Sequence, residues 1–454
     1  MEGTGRGRSI LMRRILGTSF LCLLVFGSSC KKETVPAEKT PPEKSSIEPL
    51  NLLLITVDCL RWDRVGFGGY EREVTPNMDR LAEEGTVFTR AYSQAGWTLP
   101  SLATLLTGFY PRDHGAILLT TALKTDVGTL AERLSQDGYE TRGYVTHVLC
   151  LPEYGLNRGF DGYDHSVLDK GHPHDISTSK EVTDLALQGL NEAREPFFIW
   201  VHYFDPHYLY LPHEPWEHFG EDPSDIYDQE VAYTDQHVGR LLNAVREKGL
   251  LERTVVFLAG DHGEEFGEHG GSYHLTCHEE VLRIPMVVRI PSAKKREHRE
   301  RVEQIDVVPT LLGLLGFDPE PGLPGKDVLK EDTRGFVERP LFVERVRPPG
   351  LLQKAVLRDQ RKLILVETVP PENLSPSARD EATMVSHPKE GEYLYDLDAD
   401  PGEKKNLISE ADPKEIESLK EALQRFSETQ SVQGLEIHLN EKRRDELRSL
   451  GYMN

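Results

Sequence analysis

Cysteine is scarce in this chain of 454 residues: there are five, and Cys22 and Cys30 fall in its N-terminal segment. The three that remain, Cys59, Cys150 and Cys277, have no short paired spacing, which excludes a disulfide-stapled scaffold and a zinc knuckle and permits one bridge at most. Basic residues are also short, 53 Lys and Arg against 75 Asp and Glu, for a net charge of −22. That balance argues against a nucleic-acid surface, so any pocket for an anion must be built locally, from metals or helix ends. Long apolar runs are missing too, and no repeat of solenoid period is present. The 38% apolar content and the length suit a large core or two domains of a globular protein.

The one apolar stretch near the start, "ILGTSFLCLLVFG", follows Arg13-Arg14 and ends in "SSC" at Cys30. It is short for a permanent span and has the layout of an export signal. Residues 1–30 are expected to be a signal peptide of lipoprotein type, cleaved to leave a lipidated Cys30. Residues 31–49, rich in Pro, Lys, Glu and Ser, form a flexible tether. The expected location is the cell envelope, lipid-anchored or periplasmic/extracellular, with the membrane touched through the anchor.

Folding should begin at "LNLLLITVD", a continuous apolar run that fits a strand buried on both faces and ends at Asp58. Similar runs end at Phe204 and Asp261, and "IPMVVRIP" supplies another around Met286. Amphipathic stretches such as "NMDRLAEEG", "VGTLAERLSQDG" and "YTDQHVGRLLNAVREKG" lie between them, several closed by Gly. This alternation predicts an α/β domain over residues 50–330, a mainly parallel sheet flanked by helices. Short strand-like runs over 331–411 predict a smaller antiparallel subdomain, and 412–454 a charged helical tail. Ligands of such sheets gather at the carboxyl ends of the strands. Asp58, His202, Asp205, His207, Asp261 and His262 are thereby predicted to converge on one edge.

The stretch "GWTLPSLATLLTG" places Thr98 ahead of a short apolar helix, with Pro100 suited to the first helical position and Gly108 to the stop. A hydroxyl there serves either as a cap for backbone amides or, with a base or metal to activate it, as a nucleophile toward an anion drawn to the helix end. "GDHGEEFGEHGGSYHLTCHEE", Gly260 to Glu280, concentrates four histidines with several carboxylates, a density that favours metal binding. Together Asp58, Thr98, Asp261 and His262 could hold one divalent cation that activates the threonine. His207 and His274 could form a second positive centre, as metal ligands or as proton donors to the substrate. His269 and His278 are expected outside the ligand set, His114 has a structural alternative, and Tyr395 and Asp396 suit an architectural turn.

In "LLLITVDCLRWDRVGFGGY", "TPNMDRLAEEGTVFTRAY", "LPSLATLLTGFYPRDHGA", "DHGEEFGEHG", "EEVLRIPMVVR", "QIDVVPTLLGLLG" and "YLYDLDADPGEKKNL", the chain resembles the sulfatase branch of the alkaline phosphatase superfamily over nearly all of residues 50–454. The resemblance implies an alkaline-phosphatase-like fold and a metal-dependent esterase whose nucleophile is the residue at Thr98. Sulfatases carry there a Cys or Ser, matured to formylglycine within C/S-x-P-x-R. This chain reads Thr98-Leu99-Pro100-Ser101-Leu102, so formylglycine is not expected. Asp58 is followed by Cys59 where many members have a second carboxylate, and His274 replaces a lysine. Phosphoethanolamine transferases of the superfamily, which use an unmodified threonine, place a metal-binding His at the His274 position, and His207 falls at a sulfatase substrate-binding His. Thr146-His147 falls where the family carries a substrate-side lysine or asparagine, which implies a substrate or second-metal role for His147, with strand-end packing as the alternative.

The expected activity is hydrolysis of sulfuric or phosphoric (phosphonate) esters by an unmodified Thr98, with Zn or Mn favoured and Ca as the other choice. The substrate class is an anionic ester, a sulfated or phosphorylated glycan, lipid or small molecule, with no nucleic acid partner. The competing readings are an inactive glycan- or lipid-binding member and a phospho-headgroup transferase.

Overall fold

In the computed structural model, the apolar run after Asn51 forms the strand Asn51–Val57, and all seven of its residues are buried. Alternate side chains leave a strand on opposite faces, and here both faces are covered. Leu52 and Leu54 join one hydrophobic cluster, and Leu53, Ile55 and Val57 join another on the far side. The first cluster takes in Leu99, Leu102, Leu105 and Leu106 of the helix Thr98–Thr107. The second takes in Val231, Val238 and Leu241 of the long helix Pro223–Glu247 and Val182 and Ala186 of Ser179–Glu192.

The structure describes residues 48–171, 176–270, 273–274, 276–330, 339–347, 351–368, 389–428 and 434–449. The expected signal peptide, Cys30 and all but the end of the tether lie outside them. Residues from Pro49 onward make one compact unit. Among the described residues no helix is long and apolar enough to cross a membrane.

The main sheet has eight strands in the order Arg296–His298, Thr86–Phe88, Met286–Arg289, Thr254–Gly260, Asn51–Val57, Phe197–Tyr203, Glu140–Val145 and Gly162–Asp164. Its pairings are parallel except those of Met286–Arg289, which runs antiparallel to both neighbours. Register decides where the chemistry falls. Val57 lies opposite Tyr203 on one side and Gly260 on the other, and Val145 lies opposite His202. Four adjacent parallel strands therefore end level, and the residues just past or at their ends share one edge.

A four-stranded antiparallel sheet, Leu341–Arg347, Leu351–Arg358, Arg361–Thr368 and Gly391–Asp396, follows. The charged helix Pro413–Glu428 covers it through Leu419 and Leu423, which meet Val356, Leu363 and Leu394. Lys362 of this sheet is buried between Glu279 and Glu403, at 3.1 and 3.0 Å. That pair ties the sheet to the segment following the histidine-rich loop. The long helix starts earlier than the amphipathic stretch "YTDQHVGRLLNAVREKG" indicates: "PSDIYDQE" before it is helical too, from Pro223. Pro223 occupies the first turn, where its missing N–H leaves no bond unmade.

Candidate functional site

Asp58 and Asp261 each follow the last residue of a strand, so their carboxylates meet at the carboxyl edge. Thr98 reaches the same point from the helix Thr98–Thr107. The helix begins at Thr98 itself, two residues earlier than Pro100 suggests, with Trp97 in the cap position. Thr98 makes no cap bond. Its Oγ1 lies 3.4 Å from His262 Nε2. Pro100 has no N–H and Ser101 N donates to Trp97 O at 3.3 Å, so the first turn can offer an anion only the amides of Thr98 and Leu99. The helix is closed by Gly108, whose φ of 74° a side chain would resist.

His262 is the hub. Its Nδ1 donates to Gly263 O at 2.9 Å, which fixes the tautomer and leaves the Nε2 lone pair facing inward. Around Nε2 stand Asp58 Oδ1 at 3.5 Å, Asp261 Oδ2 at 3.4 Å and Thr98 Oγ1 at 3.4 Å. The other Asp261 oxygen is fixed by the backbone amides of His262 and Cys59, at 2.7 and 3.2 Å. Behind it, Ser101 and Gln304 both donate to the Asp261 carbonyl.

Both Asp58 oxygens and Asp261 Oδ2 are buried with no hydrogen-bond partner, although such atoms are normally paired. Burial pushes both carboxyls well above the usual range, and Asp58 adds its charge to the effect on Asp261. Glu264, equally buried, is pushed up to about 8 for the same reason. Uncompensated buried acids of this kind call for a cation. The donor spacing suits one. Tetrahedral bonds of zinc length place ligand atoms about 3.3–3.5 Å apart, as around His262 Nε2. A six-coordinate ion with longer bonds gives similar edges, so donor chemistry discriminates better than spacing.

The remaining histidines complete the walls. His147 and His202 direct Nε2 at Asp58 Oδ2 from 3.6 and 3.8 Å. His147 Nδ1 accepts from Leu149 N at 2.9 Å, so its neutral ring carries the proton on Nε2 and faces Asp58 as a donor. Burial lowers both imidazoles, His202 to about 4. His207 packs beside His147 and His274, with ring centroids 5.7 and 5.4 Å away. His274 lies 4.6 Å from His262, ring to ring. The loops bearing His207 and His274 also touch through Tyr208 and Tyr273, whose rings are 4.2 Å apart.

Asp205, expected at the same edge, is turned elsewhere and accepts from Thr178 and Ser179 at the start of Ser179–Glu192. His114 accepts from Ala116 N and bonds Thr104, a structural position. His269 and His278 stack on each other outside this group. Asp396 accepts the turn amides of Asp398 and Ala399. Sequence reasoning missed Glu264 as an individual residue and assigned Cys59 no contact. The signal was present in both, Cys59 as the neighbour of a strand-end aspartate and Glu264 two residues past His262.

The Sulfatase family model matches residues 50–317, more than half of the chain. The chain belongs to the sulfatase family. This sulfatase-family chain is 27% identical to arylsulfatase A of Bos taurus over 472 residues, covering 86% of this chain and 92% of that protein. Among solved structures, a phosphonate monoester hydrolase of Agrobacterium radiobacter superposes with TM-score 0.66 at 19% identity, over 83% of this chain and 95% of that one. An enzyme solved with its substrate D-glucosamine-2-N,6-O-disulfate gives TM-score 0.67 at 18% identity, over 84% and 98%. The fold is therefore of the sulfatase and alkaline-phosphatase-like type, and the protein is an ester hydrolase of the sulfatase family.

Proposed function

We propose that the protein is a metal-dependent hydrolase in which unmodified Thr98 is the nucleophile, acting on phosphoric or phosphonic esters in preference to sulfuric ones. The observation that carries this reading is the convergence of Thr98, Asp58 and Asp261 oxygens within 3.5 Å of His262 Nε2. Asp58, Asp261, His262 and the Thr98 hydroxyl would hold the cation, with zinc or manganese favoured over calcium because an imidazole belongs to the set. A divalent cation there supplies Lewis-acid activation of the hydroxyl and neutralises developing charge.

Thr98 Oγ1, its proton passed to water, attacks the phosphorus as the ester P–O bond breaks and the leaving alkoxide takes a proton from water, forming a threonine ester that a second water hydrolyses to release the acid and restore the hydroxyl. The amides of Thr98 and Leu99 and the His147 Nε2–H hold non-bridging oxygens. His207 and His274 serve the leaving-group side. The phosphorus preference draws on the missing formylglycine motif and on the phosphonate monoester hydrolase among the structural neighbours. Sulfate esters are the second reading, favoured by the arylsulfatase likeness. An exported, envelope-located protein acting on a phosphorylated or sulfated glycan, lipid or small molecule fits the N-terminal sequence.

The test is hydrolysis of aryl phosphate, phosphodiester, phosphonate monoester and aryl sulfate by the full-length protein with zinc, manganese or calcium, beside Thr98→Ala. Turnover of phosphorus esters that the variant lacks is expected. Turnover of aryl sulfate alone would overturn the substrate assignment, and undiminished turnover by Thr98→Ala would overturn the nucleophile.

A further inference from the structure

Cys59 holds a backbone conformation that glycine or asparagine adopts more readily, with φ of 54°. Neighbours fix it there. Tyr227 donates its hydroxyl to Cys59 O at 2.7 Å, and Cys59 N donates to Asp261 Oδ1 at 3.2 Å. The consequence is a fully buried sulfur set among imidazoles, 3.7 Å from His274 Nδ1 and 3.9 Å from His262 Nδ1. One donor atom each from Cys59, His207 and His274 lie within 4.8 Å of one another.

A second, independent feature points at the same spot. Glu264 is fully buried, neither of its carboxylate oxygens has a hydrogen-bond partner, and Oε1 lies 3.5 Å from His274 Nδ1. The nearby Arg61 guanidinium donates to the Glu264 carbonyl but is salt-bridged to Asp63 and Glu268. His207 Nδ1 bonds Tyr208 O, so a coordinate bond from this ring would run from Nε2.

We propose that Cys59, His207 and His274, with Glu264 as fourth donor, form a second cation site distinct from the one around His262, in which the Cys59 sulfur binds as thiolate. The inference rests on the reading of Asp58, Asp261 and His262 as a metal centre only in that the two sites are adjacent, the rings of His262 and His274 lying 4.6 Å apart. On binding, the Cys59 thiol gives its proton to solvent and the sulfur lone pair enters the coordination shell. A thiolate with two imidazoles selects a zinc-like ion and is foreign to calcium and magnesium. Charge agrees. Asp58, Asp261, Glu264 and a Cys59 thiolate together carry four negative charges, which two divalent cations match. His147 is excluded from this site because its Nδ1 accepts a backbone N–H and its Nε2 carries the proton.

The test is metal loading of the full-length protein with cobalt(II), read by metal content and by the near-ultraviolet thiolate-to-cobalt absorption. Wild type is expected to hold two ions per chain and show the band. Cys59→Ala should hold one and lose the band. Asp58→Asn with Asp261→Asn should also hold one but keep the band, so failure at either centre is seen separately. Should Cys59→Ala not fold, His207→Gln with His274→Gln provides the same reduction to one ion. One ion without a thiolate band in wild type, or a band that persists in Cys59→Ala, would overturn the proposal.

Discussion

Replacing Asp58 by asparagine should change stability in opposite directions with and without metal. Asp58 Oδ1 and Asp261 Oδ2 lie 3.5 and 3.4 Å from the same His262 nitrogen, so they are no more than about 7 Å apart, the sum of those separations. At an effective dielectric near 20, two charges at that distance repel by about 2 kcal/mol. The isosteric amide removes this repulsion and the burial of one unpaired charge, so the metal-free variant should be more stable than metal-free wild type by about 2 kcal/mol. That corresponds to a rise of a few degrees in Tm. With metal the order reverses. A cation present at a thousand times its Kd stabilises wild type by about 4 kcal/mol, and the variant forfeits most of this with its lost ligand. The assay is thermal unfolding of both proteins near pH 8, first with chelator and then with zinc or manganese. A metal-free variant less stable than wild type, or equal stabilisation of both by metal, would refute the reasoning.

Other consequences reach beyond the metal centre. His114 is fully buried and held neutral, its pKa pushed down to about 3 by burial. An unfolded histidine takes up a proton near pH 6.5, so this residue's contribution is complete above that value. It is lost at up to about 1.4 kcal/mol per pH unit as pH falls toward 3. The stability advantage of wild type over His114→Gln in urea titrations should therefore shrink between about pH 6.5 and 4, and a constant difference would contradict it. Lys362→Met would leave Glu279 and Glu403 unpaired and should destabilise by about 3–5 kcal/mol, measurable by denaturant unfolding. A Cβ on Gly263 would fall 1.9 Å from the Glu280 carbonyl. Gly263→Ala should thus cost about 3 kcal/mol and displace His262, seen as loss of both Tm and metal affinity.

The parallel core and its edge were legible because strands buried on both faces read as unbroken apolar runs, and their last residues are polar. "LNLLLITVD" and "RTVVFLAGDHG" showed both at once. Thr98 was legible through the proline and glycine that bracket its helix. What stayed hidden depends on contacts between distant segments. Asp205 stands beside a strand end like Asp58, and only the approach of Thr178 and Ser179 turns it into a helix support. Cys59 looked like a departure from a pattern until its positive φ, enforced by Tyr227 and Asp261, aimed the sulfur at His274. The helical start at Pro223 was masked by the turn-forming residues that precede it.

The most direct test of the central claim, that Thr98 is the nucleophile, is to trap the intermediate. The metal-loaded full-length protein would be mixed with an activated aryl phosphonate or phosphate ester, quenched in acid and digested. The account predicts that the peptide containing Thr98 gains the mass of one phosphonyl or phosphoryl group on the threonine oxygen, and that Thr98→Ala gains nothing while still binding metal. Turnover with no adduct on Thr98, or an adduct on another residue that persists in Thr98→Ala, would contradict it.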